Sequence, residues 1–535
     1  MVPRFPTPER WVLLLLCSLV VAVNISKPIH IDDGWHIRAA QWIAGHPLQP
    51  MSGEVHWSGS EQYFHEGNNP PLLFYGLAAV GSVTHWNEWA LHLFVSLFGV
   101  GAILIFRRIT VALECQRGVF LTAVLASSSV LLVVQNLMLD VPLLACELWF
   151  LLLLLRGHKE RSPGLFIGAG LVLGAAVLIK YSLLPLVLLL GYSLWSTFRF
   201  KRLWIMIVPI AMWALWGVMN VAEFGSVHMF RNTGGQLPDP RELWERFVTD
   251  VMIMGSVLPA AAGIGIALIG RPRWHAHAIA LLFTCIALLI GKTLAGLWPQ
   301  VGSAAALVIL FTCSGTLLVA GILVRLIRAP VWPRMGPVGQ RHALIIIGSG
   351  ALLLVLFNMV FAPFMAPRHM LLVLPLLLLL GHDAFAQLSR GWSAFLLSGS
   401  LVLSIWMAIS DHRYAAFYKD AAATIAARFP HQQRWHNGAW GWGWYSDQHG
   451  SMDLSSTNAR PNVGDIIATP IYCVPDYLPE GVSAHGIDTI KQELSMLDVI
   501  DTRHWAKFYC VKFLAAPWDF TTGQAEVIII RQVDR

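Results

Sequence analysis

Residues 11–33 read WVLLLLCSLVVAVNISKPIHIDD, and this stretch decides how the rest of the chain is interpreted. An apolar run follows Arg4 and Arg10 and leads into a polar segment that ends in two adjacent carboxylates, Asp32 and Asp33. No small-residue cleavage site follows the apolar run, which predicts a retained first span, a signal anchor with a cytoplasmic N-terminus. We therefore expect the two carboxylates at the outer surface of a membrane.

The composition extends this interpretation to the whole chain. The 535 residues are 56% hydrophobic and 13% charged, whereas soluble domains carry about 25% charged residues. The mean hydropathy of +0.60 agrees. This composition predicts many membrane spans of roughly 20 apolar residues each. The net charge of +6 comes from short clusters of Lys and Arg between apolar stretches, as cytoplasmic loops require, so we expect membrane lipids and no nucleic acid as partners.

Positive charge assigns a side to each connection and predicts about thirteen transmembrane helices. An outer loop at about 30–88 contains a shorter apolar stretch, 71–83, which predicts an interfacial or re-entrant helix. With these sides, Asp32, Asp33, Asp140, Lys180 and Arg368 all lie at the outer face. The predicted spans are about 11–29, 89–106, 118–135, 142–155, 164–179, 183–198, 203–221, 251–269, 277–291, 301–323, 343–362, 370–388 and 392–409.

The last part of the chain, 411–535, has no spanning run. It predicts a helix at 414–429 and strands at 465–469, 508–514 and 526–530. The predicted fold class is thus a polytopic α-helical membrane protein, 1–410, with a C-terminal soluble α/β domain on the periplasmic side. In that oxidising compartment Cys473 and Cys510 either pair or remain two thiols, and the sequence leaves this open.

Asp32 and Asp33 are the most distinctive candidates for chemistry. A helix-like stretch follows them and would put His36 on their face, at i+4 and i+3. This grouping predicts a general base or a metal ligand. Acidic residues at a helix start also cap the helix and favour its dipole, so a purely structural role is the alternative.

Three further charged residues lie at predicted span ends. Asp140 sits in a tight apolar turn before Pro142, where it is either functional or a helix cap; Glu147, in the next span, is a weaker candidate. Lys180 and Arg368 are either headgroup anchors or phosphate ligands. Their place on the outer face, where positive charge is disfavoured, favours phosphate binding.

Several short motifs, in this order and on this side of the membrane, resemble the GT-C superfamily of membrane glycosyltransferases. The most similar branch is glycosyltransferase family 39-like and contains the protein O-mannosyltransferases and the aminoarabinose transferase that acts on lipid A. The matching positions are Asp32-Asp33, residues 69–75 (NPPLLFY), residues 139–143 (LDVPL), the glycine-containing span 170–180, and residues 367–369 (PRH).

The resemblance implies a role for each position. Asp32 would be the general base that activates an acceptor hydroxyl, and Asp33 and Asp140 would support it. Lys180, Arg368 and His369 would bind the donor phosphate, with His36, Glu66 and Asn69 in support. If a divalent metal such as Mg or Mn is present, Asp33, His36 and Asp140 would hold it. Asn69 and His369 depart from the family pattern, which usually has Lys or His and an aromatic residue there.

The resulting prediction is an inverting glycosyltransferase of the bacterial inner membrane. It would move a sugar from a polyprenyl-phosphate donor, such as undecaprenyl phosphate, to a hydroxyl of a glycan, lipid or protein acceptor. A flippase or transporter for lipid-linked sugars, or a non-catalytic binding scaffold, is the alternative. Transporters usually place charges near the midplane of repeated halves, and here the charges cluster at one face.

Overall fold

The structure is a computed structural model. The structure describes most of the predicted membrane region and much of the C-terminal part. The described residues are 7–57, 60–231, 238–257, 261, 265, 268, 303–328, 340–362, 364–454, 460–473, 478–479, 481–493, 495, 498–500, 508–510, 516–519 and 526–534.

The N-terminal segment forms a long apolar helix and a structured loop. Helix α1 (Thr7–Asn24) is followed by α2 (Asp33–Gly45), by the antiparallel hairpin β1 (Glu54–Trp57) and β2 (Ser60–Tyr63), and by α3 (Leu72–Thr84). The apolar face of α2 packs on α3. A helix is thus present where the sequence predicts one at 71–83.

The next helices form the centre of the bundle. They are α4 (Glu88–Ala112), α5 (Gly118–Ala126), α6 (Ser129–Leu132), α7 (Asp140–Glu160) and α8 (Pro163–Val177). Helix α7 packs between α4 and α8. Its Leu-rich surface is mostly buried, and all of its charged residues except Glu147 lie near its two ends.

The predicted span 118–135 is not one continuous helix, because α5 and α6 are short and residues 133–139 are not helical. Serines account for the break. Ser127 and Ser128 donate their hydroxyls to the carbonyls of Val124 (3.4 Å) and Leu125 (2.7 Å), and Ser128 is extended. Serine side chains that bond nearby backbone groups favour helix ends over helix interiors. The chain therefore reaches Asp140 through a buried loop.

The remaining membrane region contains α9 (Val187–Phe198), α10 (Ile207–Phe224), α11 (His228–Arg231), α12 (Pro240–Val257), α13 (Ser303–Arg328), α14 (Gln340–Phe361), α15 (Met370–Leu380) and α16 (His382–Gln387). Among the described residues, six helical stretches are long and apolar enough to cross a membrane. The protein is therefore a multi-pass membrane protein. The predicted span 277–291 lies outside the described residues, and the count of thirteen stays a prediction.

The C-terminal part begins inside a membrane-length helix. Helix α17 (Arg390–Arg428) runs without a break through the predicted boundary at 410 and 411. A mixed sheet follows, with strands β3 (Arg434–His436), β4 (Met452–Asp453), β5 (Ile466–Pro470), β6 (Ala484–Lys491) and β7 (Val527–Val533) in the order β4-β3-β5-β7-β6. Strands β5 and β7 match two predicted strands.

The predicted strand 508–514 is wrong over its described residues, which form a turn and a bend. Phe508 and Tyr509 are buried against the rest of the molecule rather than paired in the sheet. Cys473 and Cys510 do not form a disulfide with each other in the structure.

The C-terminal part packs against the segment between α1 and α4. Helix α18 (Trp440–Gln448) packs on α2 and α17. The Tyr445 hydroxyl accepts from the backbone N–H of Ile29 at 2.8 Å and donates to Glu88 at 3.0 Å. Lys419 of α17 pairs with the same Glu88 at 2.9 Å. The segment between α1 and α2 therefore lies beneath the C-terminal part.

Gly441 permits this close packing, and its replacement by Ala tests it. A Cβ at Gly441 would come within 2.4 Å of the Ile29 carbonyl oxygen, whereas a Cβ at Gly399 meets nothing within 4 Å. We expect Gly441→Ala to lower the free energy of unfolding by about 1–3 kcal/mol and Gly399→Ala to leave it nearly unchanged. Thermal unfolding in nanodiscs measures both; equal melting temperatures would disprove the close contact.

Candidate active site

Four helix ends meet at one face of the bundle. They are the start of α2, the start of α7, the end of α8 and the start of α15, which contribute Asp33, Asp140, Lys180 and Arg368. The buried loop 133–139 leads into α7 and contacts Asp33 and Arg368. Asp140 pairs with Lys180, and Arg368 approaches Asp32, the neighbour of Asp33. The location of these residues at the outer face stays a prediction.

Asp33 is fully buried and joins two loops. One of its carboxylate oxygens accepts from the backbone N–H of His30 at 3.0 Å, and the other accepts from that of Leu137 at 2.8 Å. Burial raises the pKa of the Asp33 carboxyl, and the two N–H donors oppose this rise because they stabilise the ionised form. Both oxygens are therefore already used by the backbone.

His36 strengthens the same connection. Its Nδ1 lies 3.0 Å from the Leu137 carbonyl oxygen, and its ring stacks on Phe74 of α3 with a centroid distance of 5.2 Å. Burial lowers the pKa of His36, which favours the neutral ring. Because a carbonyl oxygen only accepts, Nδ1 is the protonated nitrogen. Leu137 is thus held at its N–H by Asp33 and at its carbonyl by His36.

The Asp32 side chain is 38% exposed, whereas Asp33 is fully buried. Its Oδ2 lies 3.7 Å from Nη1 of Arg368, which is a loose approach rather than a bidentate pair. The helix cap at this position uses no side-chain bond from Asp32. The capping alternative therefore does not describe the Asp32 side chain.

Asp140 and Lys180 form a close ion pair of 2.7 Å, with side chains 4% and 19% exposed. The turn that bears Lys180 is held beside the start of α3, because the Leu72 N–H donates to the Leu178 carbonyl at 3.1 Å. The neighbouring residue Asn69 is half-buried at this junction. The NPPLLFY motif and Lys180 thus belong to one structural unit.

Arg368 and His369 present buried donors at this site. Nη1 of Arg368 lies 2.9 Å from the Met138 sulfur, and its guanidinium lies 5.4 Å from the centroid of the Phe364 ring. Nε of Arg368 and Nδ1 of His369 have no hydrogen-bond partner within the part of the chain that the structure describes. A buried guanidinium without a bidentate carboxylate is suited to bind a phosphate.

The residues predicted to hold a divalent metal all have protein partners in the structure. The Asp33 oxygens accept backbone N–H groups, His36 Nδ1 donates to Leu137, and Asp140 pairs with Lys180. Among the described residues, no group of three or more His, Cys, Asp or Glu side chains is arranged as a metal site. A divalent metal at this site stays a prediction.

The other candidates have different surroundings. Glu66 accepts from the Tyr63 backbone N–H at 3.3 Å and so helps to cap a short 3-10 turn, Phe64–Glu66. Glu147 is fully buried in α7, and its carboxylate has no hydrogen-bond partner among the described residues.

Comparisons with known proteins agree with this architecture. A family profile described as dolichyl-phosphate-mannose-protein mannosyltransferase matches residues 68–223. The crystal structure of ArnT from Cupriavidus metallidurans bound to undecaprenyl phosphate superposes with a TM-score of 0.50 at 14% identity, over 98% of this chain and 97% of that chain. This near-complete overlap decides the fold.

The chain has the fold of the GT-C glycosyltransferase superfamily. The resemblance expected from the sequence is confirmed. The S. cerevisiae Pmt1–Pmt2 complex bound to the sugar donor matches at TM-score 0.32 and 14% identity over 42% of this chain and 35% of that chain. The apo oligosaccharyltransferase of Archaeoglobus fulgidus matches at 0.45 and 13% over 83% and 64%. No curated protein sequence matches the chain.

Sequence reasoning missed a second polar group in this GT-C fold. Lys27, His30, Asn136, Asp411 and Tyr509 form a buried cluster directly behind the Asp32 loop. The position of Lys27 could have been noticed in the sequence, because this residue follows the first apolar run on the predicted outer face, where positive charge is disfavoured. The other four residues belong to no sequence pattern that would have singled them out.

The Asp140–Lys180 pair can be tested by its effect on stability. Lys180→Met leaves a buried carboxylate without its partner, so we expect a loss of about 3–5 kcal/mol. Lys180→Met combined with Asp140→Asn should recover most of that loss. Arg156 and Glu160 form an exposed pair at 2.9 Å, and Arg156→Met, the control, should cost less than about 1 kcal/mol.

Chemical unfolding in nanodiscs measures the free energy of unfolding of the parent and of these three variants. If the double variant is no more stable than Lys180→Met alone, the two side chains do not interact as described.

Proposed function

We propose that this protein is a membrane glycosyltransferase that moves a sugar from a polyprenyl-phosphate donor to an acceptor hydroxyl. The observation on which the proposal mainly depends is the buried Arg368, whose Nη1 lies only 3.7 Å from the partly exposed Asp32. A candidate phosphate-binding residue, Arg368, and a candidate general base, Asp32, thus lie side by side. A single displacement in such a site inverts the configuration at the anomeric carbon.

The cations supply what the leaving group needs. Departure of a lipid phosphate develops negative charge, which fixed cations and donors stabilise. Arg368 and His369 offer buried donors that have no partner among the described residues. Lys180 lies at the same helix ends, where it pairs with Asp140. In this mechanism Arg368 binds the phosphate directly, and Lys180 and His369 assist it.

The two adjacent carboxylates take different roles. A general base must lie within hydrogen-bond reach of the proton that it removes. Asp33 is fully buried and both its oxygens accept backbone N–H groups, so it positions the loop. Asp32 is exposed enough to meet an acceptor hydroxyl, so we assign the role of base to Asp32. Asp140 then orients Lys180.

The comparisons support this assignment through the fold and the family profile. The matching profile is named for transfer of mannose from dolichyl phosphate, and the ArnT structure contains undecaprenyl phosphate. We extend the polyprenyl-phosphate class to this chain and leave the acceptor as a glycan, lipid or protein hydroxyl. The proposed location is a bacterial inner membrane, with the N-terminus cytoplasmic and the C-terminal part periplasmic.

A flippase or a binding scaffold for lipid-linked sugars is the alternative. Transporters usually bind at the midplane, between discontinuous helices. The charged cluster lies instead at the ends of α7, α8 and α15. Sugar transfer by the purified protein separates these functions, because neither a flippase nor a scaffold forms a glycosidic bond.

Replacement of Asp32 by Asn tests the proposed base. General-base catalysis contributes about 10²- to 10⁴-fold, so we expect Asp32→Asn to lower kcat by at least that factor with little change in folding. Asp420, an exposed residue of α17, provides the control, and Asp420→Asn should keep the activity of the parent. The assay uses undecaprenyl-phosphate sugars and a membrane extract as acceptor, with protein in nanodiscs.

Equal transfer by the parent and Asp32→Asn would remove Asp32 from catalysis. No transfer by a folded parent from any donor offered would contradict the glycosyltransferase proposal and favour the flippase or scaffold.

A further inference from the structure

The loop that bears Asp32 rests on a buried ionic cluster. Asp411, fully buried in α17, pairs with Lys27 and lies 3.1 Å from His30 Nε2. The hydroxyl of Tyr509 donates to the same carboxylate at 2.6 Å. Asn136 completes the group, which we name the Asp411 cluster: Lys27, His30, Asn136, Asp411 and Tyr509. Two of its members precede Asp32 by only a few residues.

The cluster also holds the second loop of the site. Lys27 donates to the Asn136 side chain and to the Val133 carbonyl, the latter at 3.2 Å. Asn136 donates to the Tyr509 hydroxyl at 3.0 Å. Residues 133–139 lead to Asp140 and include Met138, which contacts Arg368. One set of bonds therefore fixes both acidic segments of the site.

The backbone beside Asp32 needs such support. Ile31 has a φ of +47°, a left-handed conformation that is a genuine outlier for a β-branched residue. Conformations of this kind persist only where the surrounding structure enforces them. The Asp411 cluster holds His30 on one side of Ile31, and Asp33 is bonded to Leu137 on the other. Asp32 lies between these two fixed points.

Stability alone is a weak reason for this arrangement. A buried ion pair is often no more stabilising than apolar residues of similar volume, because both charges lose their hydration. Each of the five members makes at least one bond within the cluster, although His30 Nδ1 has no partner among the described residues. Buried polar networks of this kind favour one geometry. Here the enforced geometry is that of the loop with the candidate base. Tyr509, by its position in the chain, belongs to the C-terminal part rather than to the membrane helices.

We propose that Tyr509 and Asp411 are positioning residues, by which the C-terminal part of the chain holds Asp32 in its reactive orientation. The inference rests on the proposed function, since it assigns a purpose to support of the Asp32 loop. It makes the C-terminal part necessary for the chemical step, in addition to any contact that it makes with an acceptor.

Tyr509→Phe removes the hydroxyl and keeps the ring. Because small displacements of a reacting group lower rates strongly, we expect kcat to fall on the order of 10- to 100-fold, while KM for the donor stays within about twofold of the parent. A merely structural role would instead lower the amount of folded protein and leave kcat per folded molecule unchanged.

Tyr418 offers a matched control. Its hydroxyl donates to Glu526 at 2.6 Å, and the side chain is fully buried in α17. Tyr418→Phe therefore breaks the same kind of buried tyrosine–carboxylate bond at a different carboxylate. We expect it to lower the melting temperature about as much as Tyr509→Phe and to leave kcat unchanged.

Hydrogen exchange measured by mass spectrometry tests the positioning without any reaction. Tyr509→Phe should speed amide exchange in residues 27–36 and 133–140 on the order of tenfold relative to Tyr418→Phe. Equal exchange there in the two variants would overturn the proposal, whatever the activity. Equal kcat in the two variants would also overturn it. Neither result would affect the proposed function, which depends on transfer by the parent and its loss in Asp32→Asn.

Discussion

The bonds made by the Asp33 carboxylate are the constraint on which the site depends. A fully buried carboxylate is costly unless its oxygens are satisfied, and here the backbone N–H groups of His30 and Leu137 satisfy both. These two bonds join the entry to α2 with the loop before α7. Asp32, next in the chain, is left partly exposed beside Arg368. The bond to Leu137 also fixes the loop that leads to Asp140. The adjacent carboxylates thus differ by environment, since one is structural and the other is accessible.

The cations at the site also fall into two kinds. Lys180 is neutralised by Asp140 at 2.7 Å, whereas Arg368 only approaches Asp32 at 3.7 Å and keeps a buried Nε without a partner among the described residues. A site that binds an anionic lipid needs at least one cation whose charge is not already cancelled. Arg368 meets this requirement best, and the Asp140–Lys180 pair gives the neighbouring helix ends a fixed geometry.

Much of this arrangement could be predicted from the sequence, because apolar length and positive charge determine on which side each span end lies. That rule brought Asp32, Asp140, Lys180 and Arg368 to one face. It could not predict the break at Ser127 and Ser128, since a serine-containing apolar run has the same hydropathy whether or not the helix continues. Nor could it predict the Asp411 cluster, whose Lys27 and Tyr509 are 482 positions apart in the chain. Such pairings follow from tertiary packing and leave no local pattern.

In the proposed mechanism, a lipid phosphate binds between the cationic helix ends and presents its sugar to Asp32. Cryo-electron microscopy of the full chain in nanodiscs, with an undecaprenyl-phosphate sugar bound to Asp32→Asn, tests this most directly. We expect phosphate density within hydrogen-bond distance of Arg368, close to Lys180, with the anomeric carbon facing residue 32. Phosphate density near the bilayer midplane, or anywhere away from Arg368, would contradict it.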